Sequence, residues 1–192
     1  MRFIETMKLE NGIILNMDLH KARSQETLLH HFGIERSLPF EQLVPEGMKL
    51  KEGIFKLRVL YSKEIEEFSI EPYIAREIKK LKIVEGGDIE YQYKYEDRTA
   101  IINLLNKKVD CDDILIIKNG FVTDTSYTNI VFEDGEKLYT PDTFLLNGIK
   151  RRQLLNAGII SEKAIRAEDI ANFSGYYLIN SMMERLTVQT IC

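Results

Sequence analysis

A lysine lies among tyrosines in residues 91–98, which read YQYKYEDR. An amine that is partly removed from water has a lowered pKa, and the neutral amine is a usable nucleophile. Lys94 is therefore a candidate nucleophile, with Lys80 and Lys82 as competitors. The alternative is that Lys94 lies on the surface, where most lysines of soluble proteins are found.

A dense polar run, DTSYTNI, occupies residues 124–130 in a part of the sequence that otherwise predicts strands. Buried polar groups need hydrogen-bond partners, so a run of this kind can mark a site, with Asp124 as its acid. The alternative is an exposed strand face that carries Thr and Tyr, since both have a high β-propensity.

A glycine precedes a predicted helix in residues 146–152, which read LNGIKRR. The first backbone N–H groups of a helix have no intrahelical acceptor, and together with the helix dipole they form an anion site. The alternative is an ordinary helix start with a solvated basic face.

The histidines and cysteines do not predict a metal site. His30 and His31 are adjacent and point to different sides of a helix, and His20 has no ligand set near it, so we interpret all three as structural or surface residues. Cys111 and Cys192 have no metal-binding spacing and are expected to be free thiols in a reducing compartment. No glycine-rich nucleotide motif and no G-x-S-x-G motif occurs.

The first half of the chain predicts a strand, a helix and a hairpin. Residues 2–9 form the strand, and Asn11-Gly12 supplies a tight turn to a short return strand. A helix follows that begins at Asn16 or Asp18 and ends at Gly33, and on it Ala22, Leu29 and Phe32 share a face with Leu28 at its edge. The expected pair of strands covers 55–61 and 65–70, and Pro72 marks the best domain boundary.

The second half predicts strands and helices without a regular alternation, which favours an α+β fold over a doubly wound sheet. The expected strands are 81–84, 113–117, 121–132, 137–140 and 176–181, and the expected helices are 98–106, 149–156 and 167–173. In the first of these helices, Ile101, Ile102, Leu104 and Leu105 are expected to be buried.

The composition of the chain argues against nucleic-acid binding and against a membrane protein. The 192 residues carry a net charge of −4, which argues against nucleic acid as the main partner because phosphate binding needs a clustered basic surface. No apolar run approaches the ~18 residues of a membrane span, and the start lacks a secretory signal. We therefore expect a cytoplasmic protein with no membrane partner.

Taken together and in this order, these segments resemble the class IV aminotransferases, the fold-type IV group of pyridoxal-phosphate (PLP) enzymes. The resemblance spans nearly the whole chain. The segments that carry it are Phe3-Ile4-Glu5-Thr6 with Asn11-Gly12, His20-x-x-Arg23, Lys94-x-x-x-Arg98, Asp124 to Asn129, Leu138-x-Thr140, Leu146-x-Gly148-Ile149-x-Arg151 and Asn180-Ser181-Met182.

The resemblance implies a PLP site and no metal. Lys94 would form the Schiff base with the cofactor and later carry the proton, and Asp124 would face the pyridine nitrogen. The phosphate would be held by a set comprising Arg23, the backbone N–H groups of Ile149 and Lys150, and Ser181 with Met182. Thr6, Arg58 and Arg98 are the candidate substrate residues.

The sequence departs from the family pattern at several places. Asp124 stands where Glu is usual, Val131 replaces an aromatic residue, and Lys150 replaces a frequent Thr. The strand before Phe3 and a long loop near Tyr61 are missing. The two missing segments fall around the substrate side, whereas the set of cofactor residues is close to complete.

The implied fold is two small α+β domains of the D-amino-acid aminotransferase-like architecture, shortened at the N-terminus, with the cofactor between them. Residues 1–74 would form the N-terminal domain, and residues 75–192 would carry the Schiff-base lysine and most of the cofactor site. The leading function is 4-amino-4-deoxychorismate lyase, which belongs to folate biosynthesis, in a homodimer. The alternatives are a branched-chain or D-amino-acid aminotransferase, and a homologue that binds PLP without efficient turnover.

Overall fold

Two units of the chain are defined by contacts within the computed structural model, which describes residues 1–49 and 51–192. Unit 1 comprises Met1–Ala75 and Tyr93–Asp97, and unit 2 comprises Arg76–Gln92 and Arg98–Cys192. The predicted domains, 1–74 and 75–192, differ from these units in one respect that matters: the segment that contains Lys94 groups with unit 1.

The reason is a set of backbone contacts along the first strand. Ile4 donates its N–H to the carbonyl of Lys94 at 2.8 Å, and Glu96 donates to the carbonyl of Arg2 at 2.9 Å. Phe3 and Tyr95 form an antiparallel bridge between these two bonds. The segment 93–97 therefore lies against unit 1, although 17 residues of unit 2 precede it.

Unit 1 is an antiparallel sheet with one long helix. Its strands are β1 (Phe3–Glu10), β2 (Ile13–Ile14), β3 (Ile54–Tyr61) and β4 (Ile65–Pro72), in the order β2-β1-β3-β4. Its helices are α1 (Met17–Phe32) and α2 (Glu46–Lys49), with a 3₁₀ turn at Phe40–Leu43. The predicted hairpin turn is confirmed, since Asn11 and Gly12 have φ values of 48° and 81°, which a tight turn between β1 and β2 requires.

The predicted bounds of α1 are confirmed, but its predicted apolar face is only partly buried: Leu28 is completely buried and Phe32 packs against the core, whereas Leu29 does not. Gly33 ends the helix with φ 68°, and its N–H bonds the carbonyls of Leu28 and Leu29. Leu29 is 51% exposed, whereas the buried side chains of the helix include His20 and Arg23. A polar face is buried because it meets a carboxylate on β1, as described below.

Unit 2 contains two sheets. In chain order its strands are β5 (Lys80–Glu85), β6 (Asp113–Lys118), β7 (Phe121–Thr125), β8 (Asn129–Asp134), β9 (Lys137–Pro141), β10 (Ser161–Lys163), β11 (Gly175–Asn180), β12 (Met183–Val188) and β13 (Thr190–Ile191). One sheet has the order β10-β9-β8-β11-β12, and the other has the order β13-β5-β6-β7. The helices are α3 (Thr99–Leu105) and α4 (Ile149–Asn156), with a 3₁₀ turn at Ala167–Asn172.

The prediction of one strand over 121–132 is wrong, since β7 and β8 belong to different sheets. Between them, the hydroxyl of Thr125 accepts the N–H of Thr128 at 3.1 Å and lies 2.7 Å from its hydroxyl. These local side-chain bonds take the place of the backbone hydrogen bonds between strands for one turn. The chain leaves one sheet at this turn and enters the other.

Three smaller predictions are also wrong. The strand at 176–181 is not the last, because β12 and β13 follow it. The strand β10 was not predicted, and Ile102 of α3 is 50% exposed. The α+β class itself is confirmed by the mixture of antiparallel strands, parallel strands and short helices. Within the described residues, no helix combines the length and the apolar character that a membrane span requires.

Candidate functional site

A buried cluster of charged groups lies between β1 and α1 in unit 1. The Glu5 carboxylate accepts two hydrogen bonds from Arg23, with Nε at 2.7 Å from Oε1 and Nη2 at 2.6 Å from Oε2. The Nδ1 atom of His20 lies 2.5 Å from Oε2 of the same carboxylate. Glu5 and His20 are completely buried and Arg23 is 5% exposed.

The charge states of this cluster follow from its contacts. Burial alone would raise the pKa of Glu5, but the charge of Arg23 and the hydrogen bonds from His20 and Arg23 hold it far below its usual range. Burial lowers the pKa of His20 despite Glu5, and Arg23 and Lys94 lower it further. An ionised Glu5 can only accept hydrogen bonds, so the proton of the neutral His20 ring is on Nδ1, and Nδ1–H donates a hydrogen bond to Glu5. The other ring nitrogen, Nε2, therefore has a lone pair and is an acceptor.

Lys94 is half-buried and belongs to the same unit as this cluster. Its positive charge contributes to lowering the pKa of His20. The backbone on either side is fixed by rings: Tyr93 stacks on His30 with ring centroids 4.7 Å apart, and Tyr95 packs on Phe3 at 5.3 Å. The alternative interpretation, that Lys94 is an exposed surface lysine, is therefore wrong.

The two other sequence candidates of unit 1 lie on a different face. Thr6 of β1 and Arg58 of β3 are register partners, so their side chains are on the same face of the sheet. Successive side chains of a strand alternate, so this face is opposite to that of Glu5. The structure brings Thr6 and Arg58 together, but apart from the Glu5–His20–Arg23 cluster.

Asp124 of β7 is the centre of a second buried cluster, in unit 2. Its Oδ2 accepts the backbone N–H groups of Leu145 at 2.9 Å and Leu146 at 2.8 Å. Its Oδ1 accepts the side-chain amide of Asn129 at 2.7 Å. The predicted alternative, an exposed strand face, is wrong, since Asp124 and Asn129 are each 5% exposed.

The same amide connects this cluster to the start of α4. Asn129 also donates to the carbonyl of Leu146 at 2.9 Å, and a Cβ atom on Gly148 would lie 2.1 Å from its Oδ1. Gly148 has φ −65°, so it is required here by space and not by backbone conformation. Any larger residue would displace Asn129 and the loop that it binds.

The basic residues at the start of α4 are buried, so the predicted alternative of a solvated basic face is wrong for Lys150 and Arg151. Lys150 pairs with Glu184. Arg151 donates to Asn147 Oδ1 and to the carbonyl of Pro141, both at 3.0 Å. The helix has no side-chain cap, so the first N–H groups, which include those of Ile149 and Lys150, have neither an intrahelical acceptor nor a capping side chain.

The remaining candidates of unit 2 are Ser181 and Met182, in the turn between β11 and β12, and Arg98, which directly precedes α3. Asn180 Oδ1 accepts the N–H groups of Met182 at 2.8 Å and Met183 at 3.1 Å, which shapes the turn between β11 and β12. Ser181 is half-buried in this turn and Met182 is 7% exposed. Arg98 donates to the carbonyl of Ser126 at 2.6 Å, next to the turn that separates β7 from β8.

Sequence reasoning missed the role of Glu5. It alternates with Phe3 and Met7, and all three are completely buried. The sequence does contain a signal for this role, since Glu5 occupies an inward-facing position of an alternating strand and a buried carboxylate needs a cationic partner. This pattern predicts a cationic residue opposite β1, and the polar face of α1 provides it.

The pKa of Asp124 gives a pH-dependent prediction. Burial raises this pKa to about 6, although the Leu146 N–H, Asn129 and the Leu145 N–H oppose the shift. A raised folded-state pKa stabilises the fold at pH values below the unfolded pKa of about 3.9, and this stabilisation is lost as pH rises through the folded value. Relative to Asp124→Asn, the free energy of unfolding of the wild type should fall by about 2 kcal/mol between pH 4 and 7.

Urea unfolding of both proteins across this pH range measures the effect. The Asn variant is the control because it cannot titrate at this position and all other groups cancel in the difference. A difference that stays constant or grows with pH would contradict the assignment.

Comparison with known proteins adds a consistent set of relatives. Residues 99–191 match the family described as amino-transferase class IV. An uncharacterised protein of Haemophilus influenzae is 38% identical over 180 residues, which cover 93% of this chain and 96% of that protein.

Solved structures show the same likeness. A candidate 4-amino-4-deoxychorismate lyase from Haemophilus somnus has a TM-score of 0.83 and 32% identity, covering 94% of this chain and 96% of that one. A hypothetical aminotransferase from Mycobacterium tuberculosis, in a PLP-bound form, has a TM-score of 0.82 and 17% identity, covering 99% of this chain and 81% of that one. At that identity the second likeness concerns the fold alone.

Proposed function

Because the chain belongs to the class IV aminotransferase family of PLP-dependent enzymes, we propose that it is a 4-amino-4-deoxychorismate lyase, which eliminates pyruvate to give 4-aminobenzoate. The observation that carries this proposal is the 32% identity to the candidate lyase of Haemophilus somnus, which extends over 94% of the chain. The lyase-like segments Lys94-x-x-x-Arg98 and Asn180-Ser181-Met182 support it.

The buried residues of unit 1 fit a phosphate group. Arg23 uses Nε and Nη2 on Glu5, which leaves its third nitrogen, Nη1, outside that pair. A guanidinium held at one edge by a carboxylate can still donate from Nη1 to a phosphate oxygen. We propose Arg23 as a phosphate ligand on this basis.

The residues of unit 2 fit both a phosphate and a protonated ring nitrogen. The uncapped N–H groups of Ile149 and Lys150 are suited to phosphate, and Ser181 and Met182 are proposed to complete its ligands. Asp124 Oδ1 accepts one hydrogen bond, from Asn129, and a carboxylate oxygen has two lone pairs, so a second N–H donor can be accepted there.

The proposed roles of these side chains are separate. Bound PLP supplies an electron sink for the pair released when a substrate C–H bond breaks. The Lys94 amine would hold the cofactor, and as a base it would take the proton from the aminated carbon of the substrate. Asp124 keeps a ring proton in place by charge, and the cofactor phosphate is anchored through Arg23.

Substrate recognition is proposed for Thr6, Arg58 and Arg98. Arginine is suited to carboxylates, of which 4-amino-4-deoxychorismate has two. Arg98 is fixed by its bond to the carbonyl of Ser126, and Arg58 is half-buried opposite Thr6. A homodimer and a cytoplasmic location are proposals that rest on the family resemblance.

A second function is favoured by one relative. A Rickettsia felis protein described as a probable branched-chain-amino-acid aminotransferase is 31% identical over 93 residues, which cover 44% of this chain and 32% of that protein. A branched-chain or D-amino-acid aminotransferase would use the same Lys94, but would return the proton to the cofactor instead of eliminating a leaving group.

Product analysis separates the two functions. Purified protein supplied with PLP and 4-amino-4-deoxychorismate, without any oxo acid, should release pyruvate and 4-aminobenzoate in equal amounts. Pyruvate is followed by coupled lactate dehydrogenase, and protein stripped of PLP is the control. Turnover only in the presence of 2-oxoglutarate or another oxo acid would indicate an aminotransferase, and neither activity in protein that carries PLP would indicate a binding-only homologue.

A further inference from the structure

We propose that His20 is a positioning residue for Arg23: its Nδ1–H fixes the plane of the Glu5 carboxylate, and that carboxylate aims the Arg23 guanidinium at the cofactor phosphate. This inference rests on the proposed function, because it takes Arg23 as a phosphate ligand. It assigns a role to two residues, Glu5 and His20, that the proposed reaction does not otherwise use.

In this cluster one oxygen of Glu5 accepts hydrogen bonds from two donors, one of them a neutral imidazole and the other a guanidinium. Oε2 of Glu5 accepts from both Nδ1 of His20, at 2.5 Å, and Nη2 of Arg23, at 2.6 Å, while Oε1 accepts from Nε of Arg23. A bidentate guanidinium–carboxylate pair is nearly planar, so the rotation of the carboxylate sets the direction of Nη1. The bond from His20 opposes that rotation.

The helix makes this arrangement rigid. His20 and Arg23 are three residues apart on α1, so they lie on one face and reach the same strand. The hydroxyl of Thr27, one turn further, donates to the carbonyl of Arg23 at 2.9 Å, and Ser24 donates to Lys21 at 2.8 Å. All these side chains of the face are buried, so water does not compete for Glu5.

The environment of Nε2, the other ring nitrogen of His20, indicates that the hydrogen bond from Nδ1 to Glu5 is the functional contact of this residue. Nε2 is buried and has no hydrogen-bond partner among the described residues. A buried polar atom without a partner is costly, so the imidazole is retained for what Nδ1 does. A residue that keeps a donor at the position of Nδ1 should therefore preserve the function, and one that keeps a donor only at the position of Nε2 should not.

The test compares isosteric variants by their preference for the phosphate. His20→Asn places an amide N–H near the position of Nδ1, His20→Gln places it near Nε2, and His20→Leu removes both. For each protein the dissociation constants of PLP and of pyridoxal, which lacks the phosphate, are measured by absorption titration. The dissociation constant of pyridoxal divided by that of PLP reports the contribution of the phosphate contact. A change that weakens the binding of both compounds equally does not alter this ratio.

The wild-type ratio should fall about tenfold in His20→Leu and in His20→Gln, as expected for one weakened charge-assisted contact, and should stay within about threefold in His20→Asn. Arg23→Lys, which keeps the charge but not the fork, should lower the ratio at least as much. Equal ratios in the wild type and His20→Leu, or loss in His20→Asn equal to that in His20→Leu, would overturn the inference.

Two further outcomes separate this inference from the proposed function. A wild type with no preference for PLP over pyridoxal would overturn both. Normal lyase activity and a normal ratio in Arg23→Lys would overturn the inference alone. If the variants do not fold, long-range proton–nitrogen spectra of the wild type decide: Nδ1 must carry the proton, and a proton on Nε2 would overturn the inference.

Discussion

Lys94→Ala is expected to lower the turnover number for pyruvate release by about 10³-fold or more, because it removes both the amine that attaches the cofactor and the base that moves the proton. The fold should be retained, since the segment 93–97 is held by backbone hydrogen bonds to β1 and by the ring contacts of Tyr93 and Tyr95. Steady-state kinetics with saturating PLP measure the loss, and thermal unfolding checks the fold.

Lys82→Ala is the matched control for this variant. Lys82 is half-buried as Lys94 is, and it is one of the two lysines that compete with Lys94 for the role of nucleophile. Its substitution should change the turnover number by less than about twofold. An active Lys94→Ala protein, or an inactive Lys82→Ala protein with an intact fold, would transfer the catalytic role to another residue.

Glu5→Gln is expected to lower the free energy of unfolding by about 3–5 kcal/mol, because it leaves the Arg23 charge buried without its counter-ion. Both partners are buried, and both hydrogen bonds between them have good geometry. Removing one member of such a pair costs far more than the net stabilisation that the pair provides. Urea unfolding at pH 7 measures the change.

Glu96→Gln is the control, because Glu96 also meets an arginine through two hydrogen bonds, from Arg2 at 2.7 and 3.0 Å, but on the surface. It should cost less than about 1 kcal/mol. A loss in Glu5→Gln as small as this would contradict the assignment of a buried ion pair.

The stabilisation that Glu5 provides should also depend on pH in a defined direction. Because the folded-state pKa of Glu5 is lowered, its stabilisation is complete above the unfolded pKa of about 4.3 and is lost as pH falls below it. The difference between the wild type and Glu5→Gln should therefore shrink between pH 5 and pH 2. A difference that does not change over this range would contradict an ionised Glu5.

The bounds of α1 could be predicted, but its buried face could not. Asn16 and Gly33 flank the helix as predicted, since local backbone chemistry at a helix end is readable from neighbouring residues. The buried face depends on Glu5, which is 18 residues away from Arg23. Hydrophobic periodicity assumes an apolar core and assigned Leu29 to it, although Leu29 is 51% exposed.

The strands of unit 2 show the same limit. Residues 121–132 have a continuous strand pattern, and only the bonds between Thr125 and Thr128 reveal that the chain changes sheets there. The strand β13 pairs with β5, 110 positions earlier in the case of Ile191 and Leu81. A pairing of two residues across that separation has no local signal in the sequence.

The candidate site was reached mainly through the resemblance and not through local patterns. For Asp124 to Asn129 the local pattern equally allowed an exposed strand face, and burial with three hydrogen bonds decides against it. For the start of α4, the pattern did not distinguish a buried from a solvated Lys150 and Arg151. The cofactor roles of Lys94, Arg23 and Asp124 stay predictions that the experiments above address.

Borohydride reduction of the protein with bound PLP tests the central claim most directly. After digestion, mass spectrometry should find a single pyridoxyl-phosphate label, on the peptide that contains Lys94, and the Lys94→Ala protein should carry none. A label on another lysine such as Lys80 or Lys82, or an unchanged label in Lys94→Ala, would contradict the account.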